Sequence, residues 1–409
     1  MDSHRNRRLK KWHLYLGYIL ILSPSLLFFL GSSPASIPRE RSLELVFAGD
    51  VMGHDAQILA AQIIPDRLYD YTPCFEYVAP ILQSADLAIA NLEVTLPGTP
   101  PYQGYPQFRS PDDLALALRS AGFDMLFTAN NHSNDAGPNG LVQTLNTLDD
   151  YGFYHSGTFR SPEERRMYYP LIVYKNNFKL AFLNYTYGTN GIPTKPPAVV
   201  NLIDEEQIEA DIGSARALQP DMIIAIMHWG EEYQRTESRK QRALAGKMFS
   251  WGVDLIVGAH PHVVQPIRSF EYEEPNGETR KKLVAYSLGN FISNQRRKNT
   301  DGGIILKVDL KKSEDAFRAE IEDFHYIPVW RHIEKPAGRN RVFRVLPIAV
   351  FEQTDSATAM LNRGDLSSMK QYGTDLRSHL SGSGAYEYTL DALESGWDAL
   401  ELFFETEKK

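Results

Sequence analysis

Two histidines separated by a single residue, His260 and His262, follow an apolar run at 254–259. Neutral imidazole is the commonest metal ligand in proteins. Gly258 allows the backbone to turn sharply at the end of the run, and Pro261 restricts the geometry between the two rings. Because such a pair also arises by chance on surfaces, it indicates a metal site only if other ligand-type residues meet it.

Further ligand-type residues follow other apolar runs of the chain. In an open α/β sheet, ligands bind beyond the carboxyl ends of the strands, so these positions belong together. Taken singly, each residue has a structural alternative as a helix cap, an Asx-turn or a hydrogen-bonded histidine. Independent turns have no reason to place carboxylates, an asparagine and three histidines at successive strand ends, and we therefore expect a metal centre. The segments are 49–54, 90–93, 129–135, 228–232 and 287–291.

The expected ligands are oxygen and nitrogen atoms alone, because Cys74 is the only cysteine. Such a set suits one or two divalent ions of Mn, Zn or Fe, and a carboxylate can bridge two of them. A histidine outside the ligand set could protonate a leaving group. His132 is the candidate, since its neighbour Asn131 has the character of the ligand.

Strand-like and helix-like runs alternate along the chain, which predicts an α/β domain with helices on both sides of the sheet. Strands are predicted at 43–48, 87–91, 125–129, 179–184, 222–227, 254–257, 283–287 and 304–310. Helices are predicted at 73–84, 111–121, 141–151, 205–217 and 238–251. Beyond 312 the pattern changes: 318–326 alternates like a strand with one exposed face, and 341–350 suggests another strand. Residues 352–409 have a polar, helical pattern, with apolar positions at helical spacing over 390–404.

The composition is that of a globular protein of 409 residues with a net charge of -8. No basic patch of the type that binds nucleic acid stands out, so we expect no nucleic-acid partner. Basic residues precede an apolar run at 14–30, which predicts a signal-anchor with the remaining chain outside the cytoplasm, periplasmic or extracellular. A cleaved signal followed by secretion is the alternative. The predicted division is 1–41 for this segment and its linker, 42–350 for the α/β domain and 351–409 for a helical extension.

The motifs resemble those of the CapA family, the capsule and poly-γ-glutamate synthesis proteins, which are related to calcineurin-like metallophosphatases. The resemblance covers about residues 44–292, with a closing strand at 326–330. It implies a four-layer α/β/β/α sandwich with a dinuclear metal site. The motifs are Gly49-Asp50-Val51-Met52, Asn91-Leu92-Glu93, Ala129-Asn130-Asn131-His132, His228-Trp229-Gly230, Gly258-Ala259-His260-Pro261-His262 and Tyr286-Ser287-Leu288-Gly289-Asn290-Phe291.

The resemblance also assigns roles to these residues. It implies that Asp50 and His262 bind a first ion, that Asn131, His228 and His260 bind a second, and that His132 is catalytic. An acid from the second motif would bridge the ions. Glu93 is preferred over Asn91, because a bridge between two cations favours negative charge.

One position departs from the superfamily pattern, which has Asp-x-His where this chain has Asp50-Val51-Met52. A thioether is a poor ligand for a hard dication. His54 could supply the missing ligand or could be a polar residue at a helix start. Additional ligands or neighbours of ligands are expected among His54, Asn91, Asp135, Glu232 and Gln265. Arg109 is a candidate partner for a substrate carboxylate, and Asn290 is either a substrate contact or a turn residue.

The expected function follows from the resemblance: metal-dependent hydrolysis or transfer at an amide or ester during synthesis, release or trimming of an anionic cell-surface polymer. Two alternatives remain open at this point. The protein could be a non-catalytic membrane subunit that works with a polymer synthase or exporter, or it could be a metal-dependent phosphoesterase.

Overall fold

Two large β-sheets carry the fold of this computed structural model, which describes residues 40–274, 277–314, 316–336, 338, 340–353 and 360–388. The strands are β1 Glu40–Val51, β2 Gln62–Ile64, β3 Leu68–Tyr69, β4 Leu87–Leu92, β5 Met125–Phe127, β6 Tyr154–Ser156, β7 Thr158–Phe159, β8 Leu171–Lys175, β9 Phe178–Thr186, β10 Val199–Val200, β11 Met222–His228, β12 Leu255–Ala259, β13 Ile267–Glu273, β14 Thr279–Ala285, β15 Asn290–Ile292, β16 Gly302–Ser313, β17 Glu320–Glu334, β18 Val342–Pro347 and β19 Tyr386–Glu387. The helices are α1 Asp55–Ala61, α2 Thr72–Phe75, α3 Ala79–Ser84, α4 Asp113–Ala121, α5 Gly137–Asp150, α6 Pro162–Tyr168, α7 Glu205–Ala217, α8 Arg239–Trp251, α9 Ile348–Gln353 and α10 Arg363–Leu380.

The first sheet has the strand order β18-β17-β16-β1-β4-β5-β6, with β15 paired to β1 and β19 to β17. Strands β1, β4, β5 and β6 are parallel, and β16, β17 and β18 continue the sheet as antiparallel neighbours. The second sheet has the order β13-β14-β12-β11-β9-β8, and its central strands β9, β11, β12 and β14 are parallel. The carboxyl ends of the parallel strands are therefore grouped in each sheet.

The two sheets pack face to face. Apolar side chains on one face of β9, β11 and β12 belong to the same buried cluster as those of β1, β4 and β5, and the rings of Phe127 and Phe182 meet between the sheets. The other face of the second sheet is buried under α7 and α8 in a separate cluster. The α/β class predicted from the alternating pattern is confirmed, and this packing favours the four-layer order that the resemblance implies.

Local sequence signals set several helix ends. Helix α7 begins where predicted, because the side chain of Asp204 accepts a hydrogen bond from the backbone N–H of Gln207. Helix α8 begins with a capping box between Ser238 and Gln241. The helix predicted at 73–84 is instead two short helices, α2 and α3. Pro80 stands in the first turn of α3, where its missing N–H suits a new helix start.

The chain beyond the predicted α/β domain packs onto the same core. Met369, Tyr372, Leu376 and Leu380 on α10 are buried in the cluster that contains β1 and β4, and β19 extends the first sheet. The strand predicted at 341–350 ends at Pro347 and continues as α9. Across the described ranges, no helix is long and apolar enough to cross a membrane. The membrane segment predicted at 14–30 and the apolar helical pattern at 390–404 lie outside the described residues.

Candidate metal centre

The ligand-type residues identified in the sequence come together where the carboxyl ends of the two sheets meet. Asp50 and Asn91 end β1 and β4 and are register partners in the first sheet. His228 ends β11 in the second sheet and is the register partner of Ala259, directly before His260. The sequence suggested successive ends of a single sheet; the structure shows that the cluster is built from two facing sheets.

The first part of the cluster is a set of buried atoms around His262. Its Nδ1 lies 3.1 Å from Asp50 Oδ2 and 3.1 Å from Asn290 Oδ1. The Asn290 amide has a fixed orientation, because its Nδ2 donates to Gln295 Oε1 at 3.0 Å and to the carbonyl oxygen of Thr300 at 2.9 Å. Its oxygen is therefore held toward His262, as the oxygen of a ligand would be.

The second part of the cluster contains Asn131, His228 and His260. Asn131 Oδ1 lies 2.8 Å from His228 Nε2. The rings of His228 and His260 have their centroids 4.8 Å apart, and the buried Nδ1 of His260 has no hydrogen-bond partner among the described residues. Unsatisfied buried ring nitrogens are costly unless something else occupies them.

Glu93 lies between these parts. It is fully buried, and neither of its carboxylate oxygens has a hydrogen-bond partner within the described chain. Its Oε1 is 3.6 Å from His228 Nε2 and 3.8 Å from His262 Nε2. Burial, and secondarily the charge of Asp50, raise the pKa of Glu93 well above its usual value. A divalent cation would satisfy this carboxylate, and the residues present therefore fit a metal ion.

Two sets of three side chains have their ligand atoms within 4.8 Å of one another inside each set. One set is Asp50, Glu93 and His228, and the other is Glu93, His260 and His262. Each set combines a residue predicted to bind the first ion with a residue predicted to bind the second, because all of the side chains are close together. Glu93 belongs to both sets, as a bridging residue would. Asn91 also contacts both parts, since its Nδ2 donates to Asp50 Oδ1 at 2.8 Å and lies 3.2 Å from His228 Nδ1. The individual ligand roles stay predictions.

The histidines of the cluster are held in the form that binds metal. Burial lowers the pKa of both His228 and His260 well below the usual value, and the neighbouring histidines lower it further. Neutral imidazole offers a lone pair to a cation, whereas imidazolium does not. The buried setting thus prepares these rings as ligands at neutral pH.

The loop after β12 brings the two histidines inward through an unusual backbone. His260 and His262 have φ angles of 99° and 59°, in the left-handed region that non-glycine residues rarely adopt. The backbone N–H of His260 points to the Asp50 carboxylate, at 3.2 Å from Oδ2. A Cβ atom on Gly258 would lie 1.9 Å from the carbonyl oxygen of Tyr286, so only glycine fits before this loop.

His132 lies beside the cluster with one ring nitrogen engaged. Its Nδ1 is 2.6 Å from Asp135 Oδ2, and the same oxygen accepts the backbone N–H of Phe108 at 2.6 Å. The edge of the Phe108 ring packs on the His132 ring at a centroid distance of 4.6 Å. Asp135 is thus a positioning partner of His132, and Nε2 is the nitrogen left to exchange a proton.

Met52 and His54 are both placed by the structure. Met52 is buried. The His54 ring also packs against Phe108, in a T-shaped arrangement with the ring centroids 4.9 Å apart. Its Nδ1 lies 3.1 Å from Gln57 Oε1 and 3.2 Å from the backbone nitrogen of Asn294, so this nitrogen is already engaged by protein groups. Burial lowers the pKa of His54 to about 4.

The remaining candidates, Glu232, Gln265 and Arg109, make no hydrogen bond to the cluster within the described chain. Glu232 is exposed. Gln265 is buried and holds the loop after β11, donating to the carbonyl oxygens of Gln234 and Thr236 at 2.8 and 3.2 Å. Arg109 is half-buried, and its buried Nε has no hydrogen-bond partner among the described residues. The sequence predicts Asn290 only as a substrate contact or a turn residue. Its position at the cluster follows from its strand register with Asp50, which no pattern in a single sequence reveals.

The fold and site define an α/β protein with a buried cluster of metal-type ligands between two sheets. Residues 44–295, more than half of the chain, match the family described as bacterial capsule synthesis protein PGA_cap, and the chain belongs to that family. It is 27% identical over 326 residues to the PGA biosynthesis protein CapA of Bacillus subtilis, covering 74% of this chain and 77% of that protein. It is also 27% identical over 331 residues to the capsule biosynthesis protein CapA of Bacillus anthracis, covering 77% and 75%. A role connected with the capsule is therefore supported.

Solved structures with a related arrangement are more distant. The calcineurin-like phosphoesterase YfkN from Bacillus subtilis covers 82% of this chain and 98% of its own, with a TM-score of 0.43 and 14% identity. The Thermus thermophilus sulfate thiohydrolase SoxB covers 83% and 60%, with a TM-score of 0.37 and 12% identity. Similarities of this size say nothing about the reaction.

Proposed function

We propose that this protein is a metal-dependent hydrolase or transferase that acts on an amide or ester bond of an anionic capsular polymer, with poly-γ-glutamate as the favoured substrate. The supporting observation is Glu93, a buried carboxylate with both oxygens unsatisfied among three histidines of the described chain. The polymer class is suggested by the names of the relatives from the two Bacillus species. The reaction takes place outside the cytoplasm, where such a polymer is found.

In this proposal, one or two divalent ions of Mn, Zn or Fe would be held by Asp50, Glu93, Asn131, His228, His260 and His262. Asn290 would complete the part around His262, because its Oδ1 lies 3.1 Å from His262 Nδ1. A divalent ion at these ligands supplies positive charge beside the bond to be broken and makes a neighbouring water more acidic.

His132 moves the proton. Because Asp135 accepts from Nδ1, the His132 ring is held in one orientation with Nε2 turned away from the carboxylate. From that position, Nε2 donates a proton to the departing amine or alcohol. Phe108 packs against the same ring and keeps water from one side of it.

The experiment measures metal content and polymer cleavage on the same preparation. Wild-type protein loaded with Mn or Zn should carry about one to two ions and shorten poly-γ-glutamate chains. The variant His132→Gln should keep its metal and lose roughly 100-fold or more of the cleavage rate, as expected for a general acid. His155→Gln is the matched control, because His155 also pairs with an aspartate, Asp149, but lies outside the site.

A contrary outcome either overturns the proposal or identifies another function. A protein that binds no metal under any loading contradicts the proposal as a whole. Metal binding without cleavage, together with polymer export that survives His132→Gln, would assign it to a polymer synthase or exporter as a non-catalytic membrane subunit. Hydrolysis of an aryl phosphate without polymer cleavage would make it a phosphoesterase.

A further inference from the structure

A cleft rich in arginine lies beside the metal centre, between the segment that joins β15 to β16 and the strand β17. We call it the arginine cleft and define it by Gln295, Arg296, Arg297, Arg331, Lys335 and Arg341, which line it together with two acids, Asp301 and Asp365. A second opening that shares Arg296 and Arg297 adds Lys298 to the same surface. The metal ligands proposed above do not line either opening.

Arg331 is the most unusual residue of the cleft. It is only 6% exposed, and the one hydrogen bond of its guanidinium within the described chain is a long one, from Nη2 to the carbonyl oxygen of Gln295 at 3.3 Å. Its buried Nε has no partner among the described residues. Burial, and next the charge of Arg296, lower the pKa of Arg331 to about 10, so the group is still charged at neutral pH. A buried guanidinium without a counter-ion is costly.

Among the charges of the cleft, that of Asp301 favours the charged form of Arg331, but the two do not form an ion pair. Arg296, Arg297, Lys335 and Arg341 are exposed. In the part of the chain that the structure describes, no cation of the cleft has a carboxylate within 4.0 Å. The acids have other partners: Asp301 Oδ2 accepts from Trp330 Nε1 at 3.0 Å, and Asp365 Oδ2 accepts from Asn362 Nδ2 at 2.6 Å. Positive charge therefore exceeds negative charge in this cleft.

Two short routes join the cleft to the metal centre. Gln295 accepts from Arg331 through its backbone oxygen and from Asn290 through Oε1, so Arg331 is two hydrogen bonds away from the cluster around His262. On the other side, the Arg297 guanidinium lies 4.1 Å from the centre of the Tyr233 ring, whose centroid is 6.0 Å from that of His262. A ligand held in the cleft is thus a neighbour of the metal centre.

We propose that Arg331, with Arg296 and Arg297, binds a carboxylate group of an acidic chain whose neighbouring bond lies at the metal centre. The planar guanidinium fork matches a carboxylate in geometry. A carboxylate ligand would also bring the negative charge that Arg331 does not pair with in the described chain. The inference rests on the proposed function for the identity of the chain, and it adds where the charge of that chain is held. The carboxylates of such a chain would occupy the cleft, while the chain bond between two acidic units would reach the metal ligands.

Binding is measured on the full chain after removal of metal with a chelator, so that the result is independent of hydrolysis. The probes are a short γ-linked glutamate oligomer and inorganic phosphate, titrated by calorimetry at low and at physiological salt. Wild-type protein should bind the oligomer, with weaker binding at higher salt. Arg331→Gln and the exposed variant Arg297→Gln should each weaken this binding about 10-fold or more, as expected when one charge-assisted contact is lost. Arg166→Gln, an exposed position on α6, should leave it unchanged.

The exposed variant decides the outcome if Arg331→Gln does not fold. The proposal is overturned if wild-type protein does not bind the oligomer, or if Arg297→Gln and any folded Arg331→Gln bind it like wild type. Tighter binding of phosphate than of the oligomer would assign the cleft to a phosphate group and contradict the carboxylate assignment. Loss of metal binding or of cleavage in the earlier experiment, with oligomer binding intact, would contradict the proposed function and leave the cleft assignment standing.

Discussion

Glu93 shows how a residue can be unfavourable for the fold and useful for the site. Its carboxyl group is buried among Asp50 and three histidines with no hydrogen-bond donor aimed at it in the described chain. Without a cation, the folded protein retains the proton on Glu93 at pH values where the unfolded chain releases it. A bound cation reverses this preference, because the ionised carboxylate then has a partner.

The variant Glu93→Gln tests this reversal by its effect on stability. Since the folded pKa is raised, wild-type protein without metal loses stability as pH rises above about 4.5, by up to about 1.4 kcal/mol per pH unit until the folded group ionises. Metal-free Glu93→Gln should therefore be more stable than metal-free wild type at pH 8, with a smaller difference at pH 5. With Mn or Zn added, wild type should be the more stable protein.

Urea unfolding at the two pH values, with and without metal, measures both effects. Asp309→Asn, an acid outside the site, serves as the control and should show no crossover. A Glu93→Gln protein that is less stable than wild type under all four conditions would contradict the account of Glu93.

The clustering of the ligand-type side chains could be predicted from the sequence because each follows an apolar run. Asp50, Asn131, His228, His260 and His262 are all brought together as that pattern suggested. Asn290 and Arg331 could not be ranked in the same way. The importance of Asn290 depends on its register with Asp50, and that of Arg331 depends on its burial, since arginine is mostly exposed in proteins.

At the scale of elements, the end of β12 depends on close contact between backbones. Gly258 lies against the carbonyl group of Tyr286 and the indole nitrogen of Trp229, and the strand continues directly into the histidine loop. The central parallel strands were predicted well because they are apolar on both faces. The β13–β14 hairpin was predicted poorly: β13 is largely exposed and polar, and β14 begins at Thr279 rather than at 283.

Gly258→Ala should therefore damage both the sheet and the site. The added Cβ would lie 1.9 Å from the Tyr286 oxygen, so the strands must separate, and we expect the free energy of unfolding to fall by about 1–3 kcal/mol or more. Metal content should fall with it, because His260 follows two residues later. Both are measured on purified protein by thermal unfolding and elemental analysis.

Gly213→Ala provides the matched control. Gly213 lies in the middle of α7, and a Cβ there would meet nothing within 4 Å. Alanine favours the helix, so this change should raise stability by up to about 1 kcal/mol. If Gly258→Ala behaves like Gly213→Ala, close contact at the end of β12 has no importance for the fold.

At the scale of the whole molecule, the C-terminal region is part of the core. Helix α10 buries one face against β17 and α9, and Arg377 of this helix pairs with Glu352 of α9 and Glu387 of β19. The sequence predicted that this region is helical, but helical periodicity does not tell where an apolar face is buried. That information comes from the shape of the remaining molecule.

Leu376→Ala tests this packing. Leu376 is 2% exposed, and its truncation should lower the free energy of unfolding by about 2–5 kcal/mol, as for a buried leucine in other cores. Ser367→Ala, at an exposed position of the same helix, should have little effect. Tryptophan fluorescence and far-UV circular dichroism should report a single shared transition in both variants. A separate early transition in Leu376→Ala would show that α10 unfolds on its own.

The meeting of two sheets at the ligands also has a consequence for the order of events during folding. Asp50 and His262 are 212 positions apart in the chain, and His228 belongs to the opposite sheet from Asp50. No partly folded chain that has made only one sheet contains a complete set of ligands. Contacts between such distant residues form late, since the intervening chain must be ordered first. Metal capture is therefore a marker of completed folding in this protein, and a refolding chain should gain tight metal binding only in its last kinetic phase.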